Sequence, residues 1–184
     1  MSKKVYLISN GDFRNEAGVI CWPEQKQTLD EVQRAFDELG CETQILPSYD
    51  SQRKHGFITR QCEGAQVFSQ IETMAPVVIV LSIWAYSHHV AGCLQTHKGP
   101  ILLLANFDGT WPGLVALLNH SATLERLCVD HSRIWGEKFN DDPEFMQRLK
   151  AWIDTGRIEY DTSHLVNAEK VKLTDQALKF GEEL

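Results

Sequence analysis

Three short stretches of this sequence gather aromatic rings beside hydrogen-bonding side chains. The first holds Phe13, Arg14 and Trp22, the second Trp84, Tyr86, His88 and His89, and the third Asn106, Phe107, Asp108, Thr110 and Trp111. Large rings next to Arg, Asn and Asp suit a polyhydroxylated ligand, whose C–H faces pack on the rings while its hydroxyls pair with the polar groups. A sugar or polyol is the natural inference. Taken singly, a residue such as Trp84 reads more simply as core or interface; the grouping of three stretches is what raises the case for ligand contact.

Other chemistries lack their frames. The turn Asn10-Gly11-Asp12-Phe13-Arg14 carries a single glycine and an acid that would repel pyrophosphate, which argues against a dinucleotide fingerprint. There is no GxxxxGK[ST] loop, no GxSxG elbow and no HExxH helix. Ser87 and His88 are adjacent, but no third carboxylate stands ready to orient them as a nucleophile and base. His88, His89 and His97 invite a metal reading. Neighbours at a helix start point about 100° apart and no nearby carboxylate completes a ligand set, so capping and surface hydrogen bonding is the simpler role. No residue of this chain is assigned as catalytic or as a metal ligand.

These residues must be positioned by the elements between them. Residues 4–9 form a short apolar run and predict a strand that ends in turn chemistry at Asn10-Gly11. Trp22-Pro23 then opens a helix whose apolar residues Leu29, Val32, Ala35, Phe36 and Leu39 recur at helical spacing until Gly40. A strand over 43–46, a helix over 58–71 and a fully apolar strand over 77–83 follow. The last of these shows no alternation, as expected where helices cover both faces. Further on, the pattern predicts a short helix over 89–97, a strand over 101–105, a helix from Pro112 to Leu127, a strand over 128–134, and a helix from Pro143 to Gly156. The segment 165–184 reads as a polar helix with an apolar face that needs a partner. Alternating strands and helices imply right-handed βαβ units. The expected fold is a flavodoxin-like, Rossmann-like three-layer α/β sandwich with a mostly parallel sheet of about five strands. Ligands of such sheets bind beyond the carboxyl ends of the strands, where the three aromatic stretches fall.

Bulk properties narrow the classes. At 184 residues, 43% hydrophobic and 23% charged, the chain is sized for one globular domain. A formal charge of -7 opposes nucleic-acid binding. The amino-terminal apolar run is too short for a signal peptide, and nothing approaches the roughly 20 apolar residues of a membrane-spanning helix. Five widely spaced cysteines without a CxxC pair point to reduced thiols and a cytoplasmic setting.

Residues 13–18 (Phe-Arg-Asn-Glu-Ala-Gly), 84–89 (Trp-Ala-Tyr-Ser-His-His) and 105–113 (Ala-Asn-Phe-Asp-Gly-Thr-Trp-Pro-Gly) resemble the amino-terminal domain of the L-fucose and L-arabinose isomerase group, its fucose-isomerase-like branch especially. The likeness extends over essentially the whole chain, including 117–121 (Leu-Leu-Asn-His-Ser) and 135–137 (Trp-Gly-Glu). It implies the first domain of a longer aldose–ketose isomerase, continuing past Leu184. The divalent ion of such enzymes, usually manganese, is held by later domains of the same enzyme. It further implies a homo-oligomer in which the first domain lends substrate contacts to a neighbour's active site. Carried over, those contacts fall on Arg14 and Trp84, with Asn119 and His120 as weaker counterparts. Tyr86, His88, Asn106, Asp108 and Trp111 complete the expected sugar-binding set. Phe107-Asp108 departs from the aromatic-Ser or aromatic-Asn pair of relatives, which leaves the sugar open. By this reading the chain alone does not isomerise. Two other readings stand beside it, a free-standing carbohydrate-binding module and an assembly domain whose rings are interface core.

Overall fold

The computed structural model of the chain describes residues 4–163. The expected helix over 165–184 lies outside them. Five parallel strands form one sheet: β1 (Lys4–Ser9), β2 (Glu42–Leu46), β3 (Val77–Leu81), β4 (Ile101–Asn106) and β5 (Ser132–Gly136), in the order β2-β1-β3-β4-β5. Between them run α1 (Asn15–Glu38), α2 (Gln61–Phe68), α3 (Ala91–Thr96), α4 (Gly113–Arg126) and, after β5, α5 (Pro143–Thr155). The architecture is the flavodoxin-like three-layer sandwich.

Two apolar clusters, one on each face, hold the layers together. Leu29, Val32 and Phe36 of α1 and Phe145, Leu149 and Trp152 of α5 pack on Val5, Leu7, Val78 and Val80. On the other face Val67 of α2, Leu94 of α3 and Ala116, Leu117 and Leu124 of α4 cover Ile8, Ile79, Leu81 and Leu103. β3 and β4 are buried at every position, which is why their sequences do not alternate.

Several boundaries differ from the expectation, for physical reasons. α1 begins at Asn15, so Pro23 lies inside it rather than in its first turn. A proline there forfeits one backbone hydrogen bond. The extra turns are held by packing: Gly18 sits against the His55 ring, and Trp22 meets Phe57 edge-on at 5.2 Å. α2 is shorter than expected because Ile58 is drawn into a parallel bridge with Asn10, with Ile58 N–H donating to Ser9 O at 2.9 Å. Glu63 then accepts from Thr59 N–H at 2.8 Å. The expected helix over 89–97 is a 3-10 turn at Ser87–His89 followed by the short α3. Pro112 is the residue before α4 rather than its first. β5 starts four residues late, since Cys128 adopts a φ of 55° and Val129 N–H folds back to Leu124 O. α5 matches, with Asp142 capping Glu144 and Phe145 N–H, Pro143 opening the helix and Gly156 closing it at φ 79°. No helix among the described residues is long and apolar enough to cross a membrane.

Candidate functional site

The strand order reverses between β1 and β3, so the loops leaving those strands diverge and open a crevice, the usual ligand position in such sheets. β1 delivers Asn10, Gly11 and Asp12 to it, β3 delivers Ser82, Ile83 and Trp84, and the loop after β4 delivers Trp111 and Pro112. A cavity of about 200 Å³ lies there, lined by Asp12, Arg14, Ala17, Cys21, Ile83, Trp84, Trp111 and Pro112.

One polar pair stands in this mostly apolar pocket. Arg14 donates through Nε to Asp12 Oδ1 at 2.9 Å and through a terminal nitrogen to Oδ2 at 2.7 Å, while its backbone N–H also reaches Oδ1 at 2.8 Å. The Asp12 side chain is 4% exposed and that of Arg14 61%. The Arg14 hydrogen bond holds the Asp12 carboxyl below its ordinary value against the opposing effect of burial. Both carboxylate oxygens are therefore occupied, and Asp12 orients the guanidinium instead of acting as a free base. The remaining Arg14 N–H groups have no hydrogen-bond partner among the described residues, and the side chain is largely exposed, so they are open donors. Cys21 borders the pocket with its thiol pushed up by burial and by Asp12, so it stays protonated at neutral pH and is a poor nucleophile.

Behind the pocket lies a polar network built on the buried side chains of Asn10, His89 and His120. Asn10, at the end of β1, donates through Nδ2 to Tyr86 O at 2.9 Å and to His120 Nε2 at 2.8 Å. His120 Nδ1 donates to Ala116 O at 2.7 Å, which fixes the neutral tautomer with its lone pair toward Asn10. Burial brings the His120 pKa down to about 4. Asn10 Oδ1 accepts from His89 Nδ1 at 3.2 Å, and burial lowers that imidazole too. One side chain of β1 thus ties the 3-10 turn and α4 together. On the other side of the sheet Gln25 does the same for the strand ends: its Nε2 donates to Val80 O at 2.9 Å and its Oε1 accepts from Ser82 N–H at 3.2 Å and from the Ser82 hydroxyl. These bonds fix the chain that carries Trp84.

The nine residues expected to contact ligand separate into distinct places. Arg14, Trp84 and Trp111 share the pocket. Tyr86 stands next to it, edge-on to Trp84 at 5.8 Å and 5.5 Å from Phe13. His88 is exposed on the 3-10 turn, 5.6 Å from the Tyr86 ring. Asn106 is buried and donates to Glu24 Oε1 at 3.1 Å, and burial, with Asp108 nearby, raises the Glu24 carboxyl. Asp108 is a turn residue, accepting from Thr110 and Trp111 N–H at 2.8 and 3.2 Å. It borders a separate polar cavity of about 420 Å³ with Glu31, Arg34 and Glu137. His120 is buried in the Asn10 network, and Asn119 is exposed on the outer side of α4. Sequence reasoning passed over Asp12 and Asn10. The i, i+2 spacing of Asp12 and Arg14 was the available signal for the first; nothing local marks the second, whose partners are 79 and 110 residues away.

Among the described residues no three His, Cys, Asp or Glu side chains converge to hold a metal ion. The donor set here does not fit a resident divalent ion, and no chemical step is derived through one. Compared with known protein families and with curated proteins, the sequence matches none. The crevice presents two indoles, one oriented guanidinium and a neighbouring phenol.

Proposed function

We propose that this chain is the sugar-contacting domain of an aldose–ketose isomerase of the fucose-isomerase-like type, acting in the cytoplasm. The metal ligands of that enzyme would lie in later domains, and the pocket at the β1/β3 crevice would supply contacts to the open-chain substrate. The observation that carries the reading is the meeting of Arg14, Trp84 and Trp111 around one pocket, since they come from three separate sequence stretches. In this role the Arg14 guanidinium donates to a sugar hydroxyl, and the indoles cover C–H faces and exclude water. The pocket's volume of about 200 Å³ supports a share of a site rather than a whole one, because complete small-molecule sites run from about 300 Å³ upward. The absence of a free base within it, with Asp12 held by Arg14, supports binding rather than proton transfer as this domain's part.

Calorimetry on the full chain with aldopentoses, deoxyhexoses, the corresponding ketoses and the polyols is the test. Saturable binding of a sugar, weakened about tenfold or more in Arg14→Met, is expected. No binding, or binding indifferent to Arg14, contradicts the sugar contact. Divalent-ion-dependent interconversion of the bound aldose by this chain joined to its later domains, which a free-standing binding module would not show, tests the isomerase.

A further inference from the structure

The loop that carries Trp111 to the pocket leaves β4 at Asn106 and enters α4 at Gly113, and its two ends meet. A Cβ on Gly113 would stand 1.9 Å from Asn106 Oδ1, 2.6 Å from Leu81 O and 3.0 Å from Asn106 O, so only glycine fits and three oxygens crowd one point. Asn106 is 4% exposed. Its Nδ2 donates to Glu24 Oε1 on α1 at 3.1 Å, while its buried Oδ1 has no hydrogen-bond partner among the described residues. A buried acceptor left unmet is costly, and such orphans are rare.

A carboxamide has a second setting, reached by turning it half a revolution. Nδ2 then stands where Oδ1 was, as a donor beside the carbonyl oxygens of Leu81 and Asn106, and Oδ1 faces Glu24. An ionised carboxylate only accepts, so it opposes this setting. A protonated one donates to Oδ1 and leaves no orphan. The two settings of the amide therefore match the two charge states of Glu24.

We propose that Glu24 is a proton-operated positioning residue for the 107–112 loop: ionised, it holds Asn106 with Oδ1 unpaired against Gly113, and protonated, it lets the amide turn and tie the base of the loop to β3 through Leu81 O. The surroundings favour the proton. Burial raises the Glu24 carboxyl, as do Asp108 and Glu31, against the lowering effect of the Asn106 hydrogen bond. The charged groups on the elements around it are Glu31 and Arg34 on its own helix, Asp108 in the loop, and Glu137 and Lys138 after β5, with the Cys21 thiol one turn earlier on α1. Neither cation forms an ion pair with Glu24 among the described residues. Asp108 links this charge to the indole. Its Oδ1 accepts from the Thr110 and Trp111 N–H groups at 2.8 and 3.2 Å, so ionised Glu24 repels the carboxylate that shapes the turn carrying Trp111. The inference concerns the loop and assumes nothing about what the pocket binds.

Carbon-13 carboxyl NMR on the full chain, titrated from neutral pH into the acid range, tests it, with the Asn106 side-chain NH2 and the Trp111 indole N–H resonances as reporters. Glu24 is expected to titrate above the value that the same carboxyl shows in the urea-unfolded chain, and both reporters should shift with its midpoint. Glu24→Gln, neutral at every pH, should remove that step from both reporters. A Glu24 carboxyl that titrates at or below its unfolded value overturns the proposal. Reporters that ignore the Glu24 midpoint, or that keep the same step in Glu24→Gln, overturn it as well.

Discussion

The Arg14 guanidinium closes in two-pronged fashion on the carboxylate of Asp12, two residues earlier, at 2.9 and 2.7 Å. The acid is buried and the base is mostly exposed, so the pair works in one direction: a fixed carboxylate aims a solvent-facing donor. Asp12→Asn keeps the shape and removes one charge-assisted partner. It should lower sugar affinity several-fold without changing which sugar is preferred, whereas Arg14→Met removes the donor itself and should cost about tenfold. Parallel calorimetric titrations of the two variants check this order.

His120 predicts a pH dependence of stability. Its folded pKa is about 4, against an ordinary 6.5. As pH falls below 6.5 the unfolded chain takes up a proton that the folded chain refuses, so stability declines between about 6.5 and 4; below that window this group adds nothing further. His120 alone should account for about 2 kcal/mol lost between pH 7 and pH 5, and the lowered His89 shifts in the same direction. Urea unfolding at the two pH values measures it, and His120→Gln should flatten the slope.

Much of the fold was legible because it is written locally. The unalternating apolar runs that became β3 and β4, the helix from Pro143 to Gly156, and the strand–helix alternation all follow from short-range chemistry. The misreadings have a common cause in contacts between distant residues. Pro23 looked like a helix start, but packing of Gly18 on His55 and of Trp22 on Phe57 carries α1 back to Asn15. Ile58 looked helical, but the open edge at Asn10 claims it. The site divides in the same manner. The convergence of Arg14, Trp84 and Trp111 could be anticipated from their positions after strands, while the placing of Asp108 in a turn and of Asn119 on the outside of α4 depends on where each loop and helix finally points.

Gln25 is expected to matter far more than an ordinary helix-surface glutamine. Gln25→Leu would leave Val80 O and the Ser82 N–H and hydroxyl without their buried partner. A loss of about 3 kcal/mol in chemical denaturation is expected, and a loss below about 1 kcal/mol would mean that these groups find other partners.

Gly64 is a packing requirement of α2. A Cβ there would fall within the van der Waals shell of the His89 carbonyl oxygen, which is backbone and cannot rotate away. Gly64→Ala should destabilise by about 2–3 kcal/mol and shift the 3-10 turn at Ser87–His89, with the amide resonances of that turn as the readout.

The most direct test of the sugar-contacting role is to follow the tryptophan indole N–H resonances, assigned with single Trp→Phe variants, while titrating the panel of aldoses and ketoses. The account predicts saturable shifts at Trp84 and Trp111 with one class of sugar, while Trp152, 1% exposed in the core, stays fixed. If Trp84 and Trp111 remain unmoved across the panel, or if only tryptophans away from the crevice respond, the pocket is not a sugar site and the account fails.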